Sequence, residues 1–233
     1  MKIAISQPTY IPWQGYFGLI DFVDEFVFLE NVQFIKRSWQ QRNKIRDKNK
    51  EIMLSIPVES KNKYHQKIYE VKLFEFEKTR KKHIQIIKSN YSKSKYFKIY
   101  FPNYEKIMNK NYSKLSDLNK SLIIHFCKEL KIKTKITTDT AYNFKSKNIN
   151  YLKDICLKKK GLEYISTLGS KNYLGDLIFF PNSKIKIRYF NFKDMEYIQS
   201  NNNFLPKLSI LDLLFNLGPD SLNYLRNNFY LCN

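Results

Sequence analysis

The sequence predicts an α/β fold: a mainly parallel, Rossmann-like sheet flanked by helices, with a β-hairpin and a helical insertion. Three observations predict it. The first thirty residues read as strand, turn, helix and strand, which is a βαβ unit. Residues 136–190 return to the same rhythm, and much of the stretch between is apolar at the 3.6-residue spacing of helices. At 233 residues, with 43% hydrophobic and 16% aromatic content, the chain suits one such domain, 1–233, with the insertion at about 75–135.

Each element has its own local reason. Lys2 to Ser6 reads as a short buried strand, and Pro8 and Pro12 prevent its continuation. A helix follows from Trp13 to Val23, then the continuous apolar run Phe26-Val27-Phe28-Leu29, as in a parallel strand buried on both faces. Alternation from Arg42 through Ile45 breaks at Asp47-Lys48-Asn49-Lys50 and resumes from Ile52 to Pro57, the pattern of a hairpin. A further strand is expected at Ile68 to Leu73. Helical spacing marks Phe76 to Tyr91, Tyr104 to Met108 and Leu115 to Leu130. A strand around Ile136 and a helix from Asn148 to Lys160, closed by Gly161, precede strands at Tyr164 to Thr167 and Ile185 to Phe190. Asn201-Asn202-Asn203 reads as a loop, and Ser209 caps a last helix, Ile210 to Phe215, stopped by Gly218-Pro219.

The formal charge is +20 at pH 7, a balance that ordinarily suggests a polyanion as partner. Here the lysines are scattered from Lys2 to Lys207, and only 6 of the 41 basic residues are arginines, so one nucleic-acid stripe is not expected. No apolar run reaches the roughly 18 residues needed to cross a bilayer, and the start lacks the features of a secretion signal, so the expected location is the cytoplasm. Cys127, Cys156 and Cys232 are far apart; the first two fall on apolar helical faces, as small buried hydrophobes do. Neither a disulfide framework nor a zinc site is expected.

Chemistry-bearing residues gather where the first two strands end, the usual ligand side of a βαβ unit. Gln7 to Phe17 packs an amide, polar-edged rings and a helix start together, making Gln7, Tyr10, Trp13 and Tyr16 candidate substrate contacts. The same rings also suit the core face of the helix. After the second strand, Glu30 to Asn43 contributes Asn31, Gln33, Lys36, Arg37, Trp39, Arg42 and Asn43. Arg37, Arg42 and Arg46 are half of all arginines within ten residues, and a planar guanidinium fork suits phosphate or carboxylate, so an anionic ligand is expected. Surface ion pairs in the hairpin are the alternative. Ser170 opens a helix beyond a strand, where an anion or merely a cap fits. Glu30, His83 and Asp212 are candidate bases; neighbouring Arg80, Lys81 and Lys82 favour a neutral His83. Asn216 lies one turn from Asp212. His65 and His125 are weaker candidates. Neither a Walker loop nor GxGxxG occurs, and the sequence specifies no cofactor.

Gln7-Pro-Thr-Tyr-Ile-Pro-Trp-Gln-Gly-Tyr-Phe17 and Phe26-Val-Phe-Leu-Glu-Asn-Val-Gln-Phe-Ile-Lys-Arg-Ser-Trp-Gln-Gln-Arg-Asn43 closely resemble the WbqC-like family. The likeness continues through Arg80 to His83, Leu115 to Asn119, Tyr164 to Ser170 and Leu208 to Asn216. Where a His-Pro-x-Tyr-x-Gln pattern is expected, the chain has Asp194-Met-Glu-Tyr197-Ile-Gln199, so Tyr197 and Gln199 match and the His does not. The resemblance implies a role in bacterial surface-polysaccharide building with unusual amino sugars. The expected reaction is transfer of an acyl or aminoacyl group, such as glycyl, to the amino group of a nucleotide-linked sugar, with Asn31, Gln33 and Asn43 as hydrogen-bond donors. The alternatives are an aminoacyl-tRNA donor, which makes tRNA a partner, or a non-catalytic scaffold of a glycan-assembly complex. The sequence does not set the oligomeric state.

Overall fold

The computed structural model describes residues 1–175, 177–200 and 203–232, with Tyr173 described by its backbone alone. Asn201 and Asn202 of the expected asparagine loop lie outside the described residues. Strand β1 (Lys2–Ser6), helix α1 (Gln14–Phe22) and strand β2 (Glu25–Phe28) form the opening unit, and β3 (Arg42–Asp47) and β4 (Lys50–Ser55) pair as a separate antiparallel hairpin. Helices α2 (Phe76–Tyr91), α3 (Phe97–Met108) and α4 (Leu115–Glu129) follow, then β5 (Lys135–Thr138), α5 (Asn148–Lys158), β6 (Glu163–Thr167), the short α6 (Lys171–Leu174) and β7 (Lys186–Phe192). The chain closes with α7 (Ile210–Leu217), α8 (Ser221–Asn227) and β8 (Phe229–Cys232).

The main sheet runs β5-β2-β1-β6-β7-β8, parallel except for the edge strand β8. Leaving the hairpin aside, this is the doubly wound order, in which the chain leaves β1 first to one side and later returns to the other. The direction reverses between β1 and β6, and a crevice opens there at the carboxyl edge of such sheets. The fold is therefore α/β, a mostly parallel sheet with helices on both faces.

Alternation along the strands divides the core. Ala4, Phe26, Phe28, Ile165 and Phe190 face the large layer that holds α1, α4 and α7. Ile3, Ile5, Val27, Tyr164 and Ile187 face α5 through Leu152, Ile155 and Cys156. Helices α2, α3 and α4, in the stretch read as an insertion, share the first of these cores through Ile87, Phe101 and Leu122. Each such side chain contributes about 1.5–3 kcal/mol by leaving water. Cys127 and Cys156 are buried thiols, their pKa pushed up to about 12 by desolvation. Among the described residues no helix is long and apolar enough to cross a membrane.

The strand expected at Ile68 to Leu73 is instead a 3-10 turn, Ile68–Glu70, followed by isolated bridges from Lys72 and Leu73. The Glu70 carboxylate reaches back to the Lys67 N–H at 2.7 Å and holds the turn closed. Helix α3 starts at Phe97, well before Tyr104, because buried Phe97 and Phe101 hold it together across Pro102. Helix α8 and strand β8 were not read from the sequence; Phe229 stacks on Phe190 at 4.7 Å and thereby fixes the last strand.

Candidate functional site

The loops leaving β1 and β2 meet above the carboxyl edge of the sheet. Gln40 Nε2 donates to Gln7 Oε1 at 2.7 Å, and the Tyr10 N–H donates to the Trp39 carbonyl at 3.1 Å. Helix α4 holds both loops from one face, since residues three and four apart are neighbours on a helix. Asn119 donates to the carbonyls of Pro8, at 3.1 Å, and Gln40, at 2.7 Å. Ser116 and Lys120 both bind the carboxylate of Glu30, which also accepts from Thr138 Oγ1 at 2.6 Å. Just past β5, buried Asp139 accepts the N–H groups of Glu30, at 2.8 Å, and Asn31, and the Tyr151 hydroxyl at 3.0 Å. Burial raises the pKa of Asp139, against the lowering effect of these same donors.

Two hollows open on this framework. The larger, about 850 Å³, lies between the β2 loop and the amino end of α5. Lys67, Lys145 and Lys147 line it with His65, and among the described residues no acid does so. Lys67 Nζ donates to Asn31 Oδ1 at 2.6 Å, and Asn31 Nδ2 donates to the Tyr151 hydroxyl at 3.2 Å. The N-cap residue of α5, Lys147, makes no side-chain capping bond, so the first-turn N–H groups add partial positive charge to this wall. Phe144 stands edge-on to Tyr151, centroids 6.0 Å apart, giving an aromatic side to a basic hollow. The smaller, about 430 Å³, lies at the switch between β1 and β6, and no charged residue lines it among the described residues. Gln7 and Leu29 belong to both walls.

The model of the WbqC-like protein family matches residues 7–224. The chain belongs to this family. A protein of Mycobacterium tuberculosis, the uncharacterized protein Rv1507c, is 34% identical over 227 residues, covering 97% of each chain. No solved structure matches the WbqC-like chain.

The structure of this WbqC-like chain brings together some of the residues singled out in the sequence. Gln7, Asn31 and Gln33 line the larger hollow; Gln7, Trp39 and Ser170 line the smaller. Ser170 sits at the start of α6 without capping it, its hydroxyl donating to the Thr167 carbonyl at 2.6 Å. Others serve the framework. Tyr10 is enclosed in the core, and Tyr16, also buried, donates to the Gln7 carbonyl at 3.0 Å from beneath the loop. Asn43 donates to the carbonyls of Tyr10 and Ile11, steadying a turn in which Ile11 has φ 36°. Trp13 packs edge-on against Phe192, centroids 5.7 Å apart, away from both hollows.

None of the three candidate bases lines either hollow. Glu30 is fully buried, with its carboxylate engaged by Ser116, Lys120 and Thr138. His83 is 4% exposed and bonds through Nδ1 to the Tyr10 hydroxyl at 2.8 Å. Burial first and Lys82 second lower its pKa from 6.5 to about 4, so the expected neutral form holds, chiefly for a different reason. Asp212 accepts from Tyr197 at 2.7 Å, Gln199 at 2.9 Å, Tyr91 at 3.0 Å and Asn216. Burial raises the Asp212 pKa, against hydrogen bonds and nearby Arg46. Tyr197, Asn216 and Asp212 are thus one interior network.

The arginines part company. Arg46 is buried and donates to Gln199 Oε1 and to the carbonyls of Asn203 and Lys48. Arg37 is exposed with φ 58°, Arg42 lies in β3, and neither lines the hollows. Lys36, also exposed, has its ammonium 5.7 Å from the centre of the Tyr64 ring. The cations at the cleft are lysines from 67, 145 and 147, in segments that carried no anion signal of their own in the sequence. Asp139, one residue past a strand, and the start of α5 were open to the carboxyl-edge argument applied to β1 and β2. Asp194, standing where the family His is expected, accepts from Gln14 Nε2 at 3.0 Å and lines neither hollow.

Proposed function

We propose that this WbqC-like chain is a transferase of bacterial surface-glycan building, adding an acyl or aminoacyl group to the amino group of a nucleotide-linked sugar. The observation that carries this reading is the larger hollow: three lysines and an uncapped helix start, with no acid lining it among the described residues. Such a wall suits a diphosphate, because ammonium groups and helix N–H groups both favour negative charge. The amides of Asn31 and Gln33 and the Phe144 ring suit the polar and flat parts of the same ligand.

In the reaction, the sugar amine attacks the carbonyl carbon of the donor; a C–N bond forms and the C–S or C–O bond to the carrier breaks. His65 stands at the larger hollow, and in this reading its imidazole takes the proton that the amine loses and returns it to the leaving group. Gln7 supplies the donor for the developing oxyanion. Gln40 Oε1 faces the Ile35 N–H at 3.4 Å, so Gln40 presents its NH2 to Gln7 Oε1, and Gln7 Nε2 is left to face the ligand. An aminoacyl-tRNA as donor is the second reading, and the net charge of +20 favours it.

The test is incubation of the protein with UDP-linked amino sugars and, in turn, acetyl-CoA, glycine with ATP, or glycyl-tRNA, with mass spectrometry of the nucleotide sugar. An amide-forming mass gain, lost in Lys67→Ala and slowed in His65→Asn, is the expected result. Absence of binding by any nucleotide sugar at low salt overturns the reading.

A further inference from the structure

We infer that the smaller hollow is a sugar-ring subsite, distinct from the basic hollow and joined to it at Gln7; this rests on the reading that the basic hollow holds the diphosphate. Its lining differs in kind. Among the described residues no charged side chain reaches it, and its polar groups are hydroxyls and amides, among them Ser38, Ser166 and Ser170. Ser170 already donates to the Thr167 carbonyl, which leaves its oxygen as an acceptor for a ligand hydroxyl.

Over this hydroxyl-lined hollow stands Trp39, 51% exposed although its backbone is pinned by the Tyr10 N–H. An indole held by its main chain, with its ring open to solvent, offers a flat apolar plate beside hydrogen-bonding groups. A pyranose presents an apolar C–H face and a rim of hydroxyls, so it matches the plate and the lining together. Among the described residues, charged phosphates find no counter-charge here and three lysines next door. The two hollows share Gln7 and Leu29, so one extended ligand spans them, diphosphate over the lysines and sugar ring against Trp39. Gln7, whose amide is assigned to the oxyanion, then lies where the two parts of the ligand join.

The chain has two tryptophans, so Trp13→Phe leaves Trp39 as sole reporter; Trp13 packs on Phe192 away from both hollows. Its emission and acrylamide quenching are to be followed with UDP, dTDP and GDP, and with UDP-N-acetylglucosamine, dTDP-glucose and GDP-mannose, while calorimetry measures binding. A second variant, Gly169→Phe, fills the hollow from a lining position where an added Cβ meets open space. The expected result is that at least one nucleotide sugar shifts Trp39 emission and shields it from acrylamide while its parent diphosphate binds without doing so. Gly169→Phe then weakens that nucleotide sugar at least about tenfold and leaves the diphosphate unchanged. If the diphosphate alone moves Trp39, the base and not the sugar occupies the subsite, and the inference is overturned. A nucleotide sugar that binds, depends on Lys67 and leaves Trp39 unmoved overturns the subsite while the diphosphate reading stands. Failure of all six compounds to bind at low salt overturns both.

Discussion

Acidification from pH 7 to pH 5 should destabilise the protein through one imidazole. His83 is enclosed between Tyr10 and the Ser55 backbone, and its pKa is lowered from 6.5 to about 4, by burial first and Lys82 second. A folded-state value below the unfolded one means that the unfolded chain takes the proton first. The folded state therefore loses nothing above pH 6.5, loses stability progressively below it, and carries the full cost below about 4. At 1.36 kcal/mol per pKa unit the full cost is about 3 kcal/mol, and at pH 5 it is about 2 kcal/mol. Urea unfolding of the wild type and His83→Asn at pH 7 and pH 5 isolates it, because the other titrating groups are common to both. Asn keeps a polar partner for Tyr10 without the ability to take a proton. The wild type should lose about 2 kcal/mol more than the variant between the two pH values. Losses agreeing within about 0.5 kcal/mol would refute the enclosure of His83, because an accessible imidazole protonates equally in both states.

Further outcomes follow from the framework. Asp139→Ala strips the acceptor from two backbone N–H groups and a tyrosine hydroxyl, and should cost about 3 kcal/mol or more in urea unfolding while raising KM for the sugar. Glu30→Gln should lower stability by about 1–3 kcal/mol and leave kcat within about threefold; a kcat loss near a hundredfold at unchanged stability would restore Glu30 as a base. Asp212→Asn removes the anion beside buried Arg46 and should destabilise by about 2 kcal/mol or more, with no change in nucleotide affinity by calorimetry of the folded protein. Raising salt from 50 to 500 mM should weaken nucleotide-sugar binding by roughly tenfold, since the lysines of the basic hollow are partly solvated; a salt-independent Kd would speak against them.

The fold was legible wherever apolar pattern and length agreed. The runs at β1 and β2 and the periodic stretches of α2 and α4 read directly, because their burial sets the pattern. Segments held by one tertiary contact did not: β8 depends on Phe229 against Phe190, and the Lys67 to Leu73 stretch on a single carboxylate turned back on its own backbone. For the site, the meeting of the β1 and β2 loops was legible from the βαβ unit, and Gln7, Asn31, Gln33, Trp39 and Ser170 do face the hollows. Burial was not legible. Glu30, His83 and Asp212 are residue types that serve equally as bases or as interior acceptors, and only the partners supplied by α4, Tyr10 and the Tyr91–Gln199 network distinguish the two. Arginine clustering pointed to an anion, but Arg46 turned inward, and the lysines at the basic hollow arrive from two distant segments.

The central claim is that a diphosphate rests on the lysines and the amino end of α5. The most direct measurement is a crystal structure of the protein soaked with a nucleotide sugar that binds it. The expected density places the diphosphate within hydrogen-bonding distance of Lys67 and the first-turn N–H groups of α5. A diphosphate seated instead on Arg37 and Arg42, with the basic hollow empty, would contradict it.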